Sequence, residues 1–184
     1  MRNLKNTEKQ FGVQKEILKV RTKKEYLALR KLSQLSKNMY NVGLYSVRQH
    51  FFETKKYFPY KENYHACKSN ENYKLMGSAA AQQTLKKVEE NFKSFFGVLK
   101  VKGQGARIPR YLEKDAHFEL SYPQFKLQKD GTFYIPVSPA FIENTERLMF
   151  IFHQIWTPQK LLKYASFLNI THIILKLSMS IKNK

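Results

Sequence analysis

Between residues 78 and 97, apolar side chains return at Ala81, Leu85, Val88, Phe92 and Phe95, in steps of 4, 3, 4 and 3. Only an α-helical repeat of about 3.6 residues keeps such positions on one face. Ser78 stands where an N-cap belongs and Gly97 where a C-cap glycine belongs. A helix with one apolar stripe must bury it, and an earlier stretch offers the partner. Thr22-Lys23-Lys24-Glu25 reads as a capping box, the threonine hydroxyl accepting from the third amide while the glutamate reaches back. Leu32, Leu35, Met39 and Val42 then step by 3, 4 and 3, which predicts a long helix to about Glu53, with Gly43 weakening its middle or marking close packing. Residues 54–77 are rich in Tyr, Lys and Asn, contain Pro59, and predict a loop with short helical turns.

Outside the helices the texture turns to strand. A polar leader (1–10) precedes Val13–Arg21, whose β-branched content and length suit a strand. Lys100–Arg107 reads as a flexible basic connector with two glycines. Phe118–Leu120, Gln124–Leu127, Thr132–Val137 and Leu148–Phe152 are short candidate strands, and Lys129-Asp130-Gly131 a tight turn between two of them. The expected fold class is α+β: a small antiparallel β-barrel or sheet completed by both ends of the chain, with the helices inserted.

The charge balance points to a partner. The chain has 33 Lys+Arg against 14 Asp+Glu, a net charge of +19, so a polyanion would offset its self-repulsion by releasing condensed counterions. With 42% hydrophobic and 14% aromatic residues it can still build a core, which excludes disorder from end to end. The single cysteine, Cys67, excludes an internal disulfide and a multi-cysteine zinc site. Neither a secretory signal nor an apolar run of spanning length is present, so a soluble, reducing, intracellular setting is expected, without a membrane partner.

Catalysis is not expected. A two-metal nuclease needs converging carboxylates, and the two aspartates, Asp115 and Asp130, lie among lysines. Glu89-Glu90 reads as a solvated helix face, since adjacent helical residues diverge by about 100°. His50, His65, Cys67 and His117 lack metal-ligand spacing. No P-loop, Gly-x-Ser-x-Gly or dinucleotide fingerprint occurs, so no metal, cofactor or small-molecule substrate is expected.

Binding is better supported. Gln82, Gln83, Lys86, Lys87 and Lys93 fall on the polar side of the second long helix, where they can reach base edges or phosphates; an ordinary solvated face reads equally well. In Arg107-Ile108-Pro109-Arg110-Tyr111, two guanidiniums suited to phosphate oxygens flank a ring that can stack on a base. A strand entry with solvated arginines is the plainer alternative. The Tyr/Lys composition of residues 55–74 is a weaker sign of the same kind.

The run from Ser78 through Ala79-Ala80-Ala81-Gln82-Gln83-Thr84-Leu85-Lys86-Lys87-Val88 to Asn91-Phe92-Lys93-Ser94-Phe95-Phe96 resembles the helix signature of TnpB (OrfB) transposases. So do Ile108-Pro109-Arg110-Tyr111, Tyr122-Pro123 and Phe125-Lys126-Leu127, and the likeness extends from about residue 17 to 152. This family of RNA-guided DNA nucleases is similar to the type V CRISPR effectors. The resemblance implies a wedge-like, OB-like β-barrel built from Val13–Arg21 and the 105–152 strands, with a helical recognition lobe inserted over 24–97. It also implies guide RNA and target DNA as partners, with a cytoplasmic, nucleoid-associated location. Family members continue into a RuvC-like nuclease with a four-cysteine zinc module, which this chain lacks, so only binding carries over: an RNA- and DNA-binding transposase fragment that does not cleave. The alternatives are a regulatory or structural protein that binds the RNA of an intact relative, or a transposon remnant without function.

From His153 the likeness stops and no acidic residue follows Glu146. Back-translating HQIWTPQKLLK with AT-rich codons and restoring one C before His153 gives PSNMDTTKIIK, which continues Phe150-Ile151-Phe152 in the family's manner. Residues 153–184 therefore read as an out-of-frame tail that should pack poorly, with any helix over Pro158–Phe167 reflecting local propensity; an amphipathic tail that docks on a membrane or partner is the rival. Sequencing the gene beyond codon 152 tests the shift: a long nuclease frame one base away is expected, and its absence refutes the idea.

Overall fold

The computed structural model describes residues 20, 22–123, 132–143, 145, 149–151 and 173–175. Helix α1 (Lys23–Thr54) starts as its sequence dictates: the Glu25 amide donates to Thr22 Oγ1 (3.1 Å) and the Thr22 amide donates to Glu25 Oε2 (3.3 Å). Helices α2 (Tyr60–Cys67) and α3 (Glu71–Met76) follow, then α4 (Ser78–Lys102) and a short 3₁₀ turn, Gly103–Gly105.

Residues 54–77 are thus mostly helical rather than loop. Pro59 is the N-cap of α2, where its missing amide costs nothing, and the Asn70 side chain caps α3 by accepting from the Asn72 amide. Two further boundaries differ from expectation. Gly77, at a left-handed φ of 87°, precedes α4 as its N-cap, so Ser78 is already helical. At the other end α4 runs past Gly97, where an added Cβ would meet no other part of the fold within 4 Å, and closes at Gly103. The basic connector is therefore largely helix.

The two long helices run in the same sense, because α2 and α3 carry the chain back between them. Ser36 Oγ meets Thr84 Oγ1 (3.1 Å), Tyr40 accepts from Asn91 Nδ2 (2.8 Å), and the Phe51 ring lies 6.1 Å from that of Phe95. Gly43 sits at the closest approach. A Cβ there would come within 2.5 Å of Leu85 Cδ2 and 3.3 Å of Asn63 Nδ2, so any other residue would force the buried Leu85 side chain to shift. One core gathers Leu29, Leu32, Leu35 and Met39 with Met76, Ala81 and Leu85. A second gathers Tyr40, Leu44, Val47, Val88 and Phe92.

The expected β-barrel is not formed. Among the described residues, strand is limited to β1 (Leu120–Tyr122), β2 (Thr132–Tyr134), β3 (Met149–Ile151) and β4 (Ile173–Leu175), with a short helix α5 (Pro139–Glu143) between β2 and β3. β1 pairs antiparallel with β4 (Leu120 opposite Leu175) and β2 with β3 (Thr132 opposite Ile151), as two separate two-stranded pairs. The architecture is a helical body with small β additions, not an α+β barrel with a helical insert. One physical reason lies between Pro109 and Glu119, where several backbone groups bond to α1 instead of to a neighbouring strand. The Phe118 carbonyl accepts from Ser33 Oγ and its amide donates to the Ser33 carbonyl, which moves the start of β1 on to Leu120.

The expected strand over Val13–Arg21 (Val20 apart), the Gln124–Leu127 strand, the Lys129–Gly131 turn and the Pro158–Phe167 helix lie outside the described residues. Within the suspected tail, Ile173–Leu175 forms β4. Among the described residues, no helix is long and apolar enough to cross a membrane.

Candidate nucleic-acid interface

Residues 106–119 leave the 3₁₀ turn and run back along α1, antiparallel to it, held by polar side chains on successive helical turns. Arg48 Nη1 donates to the Pro109 carbonyl (2.8 Å). Asn41 grips Leu112 twice, Nδ2 donating to its carbonyl and Oδ1 accepting from its amide, both at 2.9 Å. Lys37 Nζ donates to the Lys114 carbonyl (2.7 Å), and Ser36 Oγ to that of Glu119 (2.8 Å). Spacings of 4, 4 and 7 residues keep Ser33, Lys37, Asn41 and Arg48 along one side of the helix. The half-buried Ile108, Leu112 and Phe118 turn toward the second core. Arg107, Arg110 and Tyr111 are left facing solvent.

Of these three, Tyr111 meets Arg48 of α1, which also meets Phe52. Arg48 Cζ lies 4.9 Å from the centre of the Tyr111 ring and 5.4 Å from that of Phe52. At these distances the guanidinium is attracted to the negative ring faces, and its bond to Pro109 keeps it between them. Among the described residues, no carboxylate pairs with Arg48, Arg107 or Arg110. Cations without a carboxylate at ion-pair distance keep their charge available for an outside anion.

The α4 candidates are placed differently. Gln82, Lys86 and Lys93 share one flank and look toward α2 and α3; Gln83 and Lys87, turned by about 100°, lie on another. Gln82 Nε2 donates to the Tyr73 hydroxyl (3.2 Å), Lys86 Nζ lies 5.8 Å from the Tyr60 ring centre, and Lys93 pairs with Glu89 (3.1 Å). Lys87 pairs with Glu90 (2.9 Å) and lies 3.8 Å from Glu119. The Glu90 hydrogen bond outweighs burial and raises the Lys87 pKa. Gln83 and Lys87 line a cleft of about 160 Å³ with Glu90, Phe118, Glu119 and Ser121, where two carboxylates oppose a phosphate. The five α4 residues thus form no single basic face, and their charges are largely answered within the protein.

Glu89 is not the solvated residue that its sequence suggested. Its Oε1 accepts from the Tyr57 hydroxyl (2.6 Å) and from the Tyr60 amide (3.2 Å), so it caps α2 from across the fold. Burial alone would raise its pKa, but the Tyr57 hydroxyl, Lys93 and the Tyr60 amide together hold it below the usual carboxylate range. Burial and that same bond push the Tyr57 hydroxyl well up. Glu90 stays exposed.

The other titratable candidates have structural surroundings. Cys67 is buried, donating to Asn63 Oδ1 (3.4 Å) and lying 3.7 Å from Ser46 Oγ; burial raises its thiol pKa. His50 stacks on Phe58 with ring centres 4.7 Å apart. Among the described residues, no three His, Cys, Asp or Glu side chains lie together as a metal site would require.

Arg48, Phe52, Asn41 and Lys37, which touch or hold this segment and its surroundings, were not singled out from the sequence. Arg48 and Phe52 were within reach, since an i, i+4 cation–aromatic pair stands on one helix face. No family model matches this chain, and no curated protein matches it.

Proposed function

We propose that the chain binds nucleic acid, in the manner of the front part of a TnpB-type RNA-guided nuclease. Guide RNA and target DNA are its partners, and a nucleoid-associated location follows from them. The observation that carries this reading is the exposed Arg107–Tyr111 segment, fastened to α1 by Asn41 and Arg48, in a chain of net charge +19. Fastening matters because a pre-ordered segment loses less freedom when it meets a ligand. Two guanidinium forks without acidic partners suit phosphate oxygens, and the neighbouring ring offers a face for a base. The same residues carry the family resemblance in Ile108-Pro109-Arg110-Tyr111. The helical body serves as the rigid support for that segment.

Cleavage is not assigned to this chain. Phosphodiester hydrolysis by two metals requires carboxylates that converge, whereas Glu89 caps a helix and Glu90 and Glu119 face Lys87.

The test is the double variant Arg107→Gln/Arg110→Gln, titrated by fluorescence anisotropy against a structured RNA hairpin. Affinity should fall about tenfold or more, and the slope of log affinity against log salt should become shallower by about 2. Unchanged affinity and slope would remove this segment from the interface.

A further inference from the structure

Where α1 ends against the 107–112 segment, cations and aromatic rings alternate. Lys55 Nζ lies 6.0 Å from the centre of the Phe52 ring, Arg48 follows between Phe52 and Tyr111, and Arg110 adjoins Tyr111 in the chain. Phe52 and Tyr111 are 46% and 44% exposed, although both rings are large enough to contribute well to a core. Lys55 takes a left-handed φ of 58° as the C-cap of α1, an uncommon backbone state for a residue with a side chain. Among the described residues, none of these cations has a carboxylate partner.

We infer that this ladder is a stacking platform for an unpaired polynucleotide strand, a conclusion that rests on the nucleic-acid reading above and narrows it. Two bases of the strand lie against Tyr111 and Phe52, while Arg107, Arg110 and Lys55 meet its phosphates. Arg48 does not need to move: its bond to Pro109 fixes it as the cationic spacer between the rings. A paired helix hides its base faces within its own stack, so it can use the arginines and Lys55 but not the rings. The platform reads ring faces and phosphates and makes no demand on the sugar. Ribose and deoxyribose strands should therefore bind alike.

The test uses the full chain, with labelled oligo(U) and oligo(dU) of about 12 nucleotides and a blunt-ended RNA duplex as probes. The variant is Phe52→Leu/Tyr111→Leu, which keeps apolar cover but removes both ring faces. As both positions are exposed, an unchanged thermal midpoint checks that the fold survives. The variant is expected to lose about tenfold in affinity for either single strand while keeping duplex affinity within about twofold. Equal losses on strands and duplex, or no loss on strands with duplex binding intact, would overturn the platform alone. Strong preference for oligo(U) over oligo(dU) would overturn the sugar-indifferent contact. A wild-type chain that binds none of the three probes at low salt would overturn the nucleic-acid reading itself.

Discussion

Replacing Phe92 with alanine is expected to lower the free energy of unfolding by about 4 kcal/mol, a large part of the total stability of a domain this size. Phe92 has no exposed surface and joins the two long helices: its ring centre lies 6.5 Å from that of Phe51 on α1, and 6.1 Å from those of Phe95 and Phe96 on α4. Truncation removes the apolar transfer energy of the ring and its edge-to-face contacts, and it leaves a cavity that neighbours on two rigid helices cannot close. Phe52, one position beyond Phe51, supplies the contrast. It is nearly half exposed, and its replacement by leucine should cost under about 1 kcal/mol. Urea unfolding of the two variants measures the difference. A loss below about 1 kcal/mol for Phe92→Ala would mean that α1 and α4 do not share the second core.

The helical body was legible in the sequence where local rules and tertiary packing agree. The capping box at Thr22, the stripe of Leu32, Leu35 and Met39, and the close approach at Gly43 each rest on a few neighbouring residues, and each appears in the fold. Over α2 and α3 only short helical turns were legible, because part of their helix signal arises elsewhere. Asn63, Asn72 and Tyr73 are buried yet polar, so the segment has a loop's composition, and part of the capping of α2 comes from Glu89, 29 residues on. The barrel expectation failed for a related reason. Short apolar runs look like strands whether their backbone groups meet another strand or, as at Phe118, the side of a helix.

At the candidate interface, Arg107, Arg110 and Tyr111 were legible from residue type alone. Their support was not. Asn41 and Arg48 lie 71 and 61 residues from the backbone groups that they hold, and single polar side chains on a helix carry no mark of such partners. The α4 lysines erred the other way, because their charge is visible in the sequence while the acids that answer it come partly from other elements, as Glu119 does for Lys87.

The central claim is that a fastened, cationic segment on α1 binds nucleic acid through phosphate contacts. Four exposed cations are available about it: Lys55, Arg107, Arg110 and, farther along the segment, Lys114. Each phosphate neutralised releases condensed counterions, so added salt opposes binding in proportion to the number of contacts. Four contacts give a slope of log affinity against log salt near −3.5, or about a hundredfold loss of affinity between 50 and 200 mM salt. Contacts that depend on stacking or on neutral hydrogen bonds alone would leave the affinity nearly flat across that range. The most direct measurement is therefore a salt titration of the wild-type chain against structured RNA and duplex DNA. A steep linear decline is the expected result. A correctly folded chain that binds neither at 50 mM salt, or binds with a slope near zero, would contradict the claim.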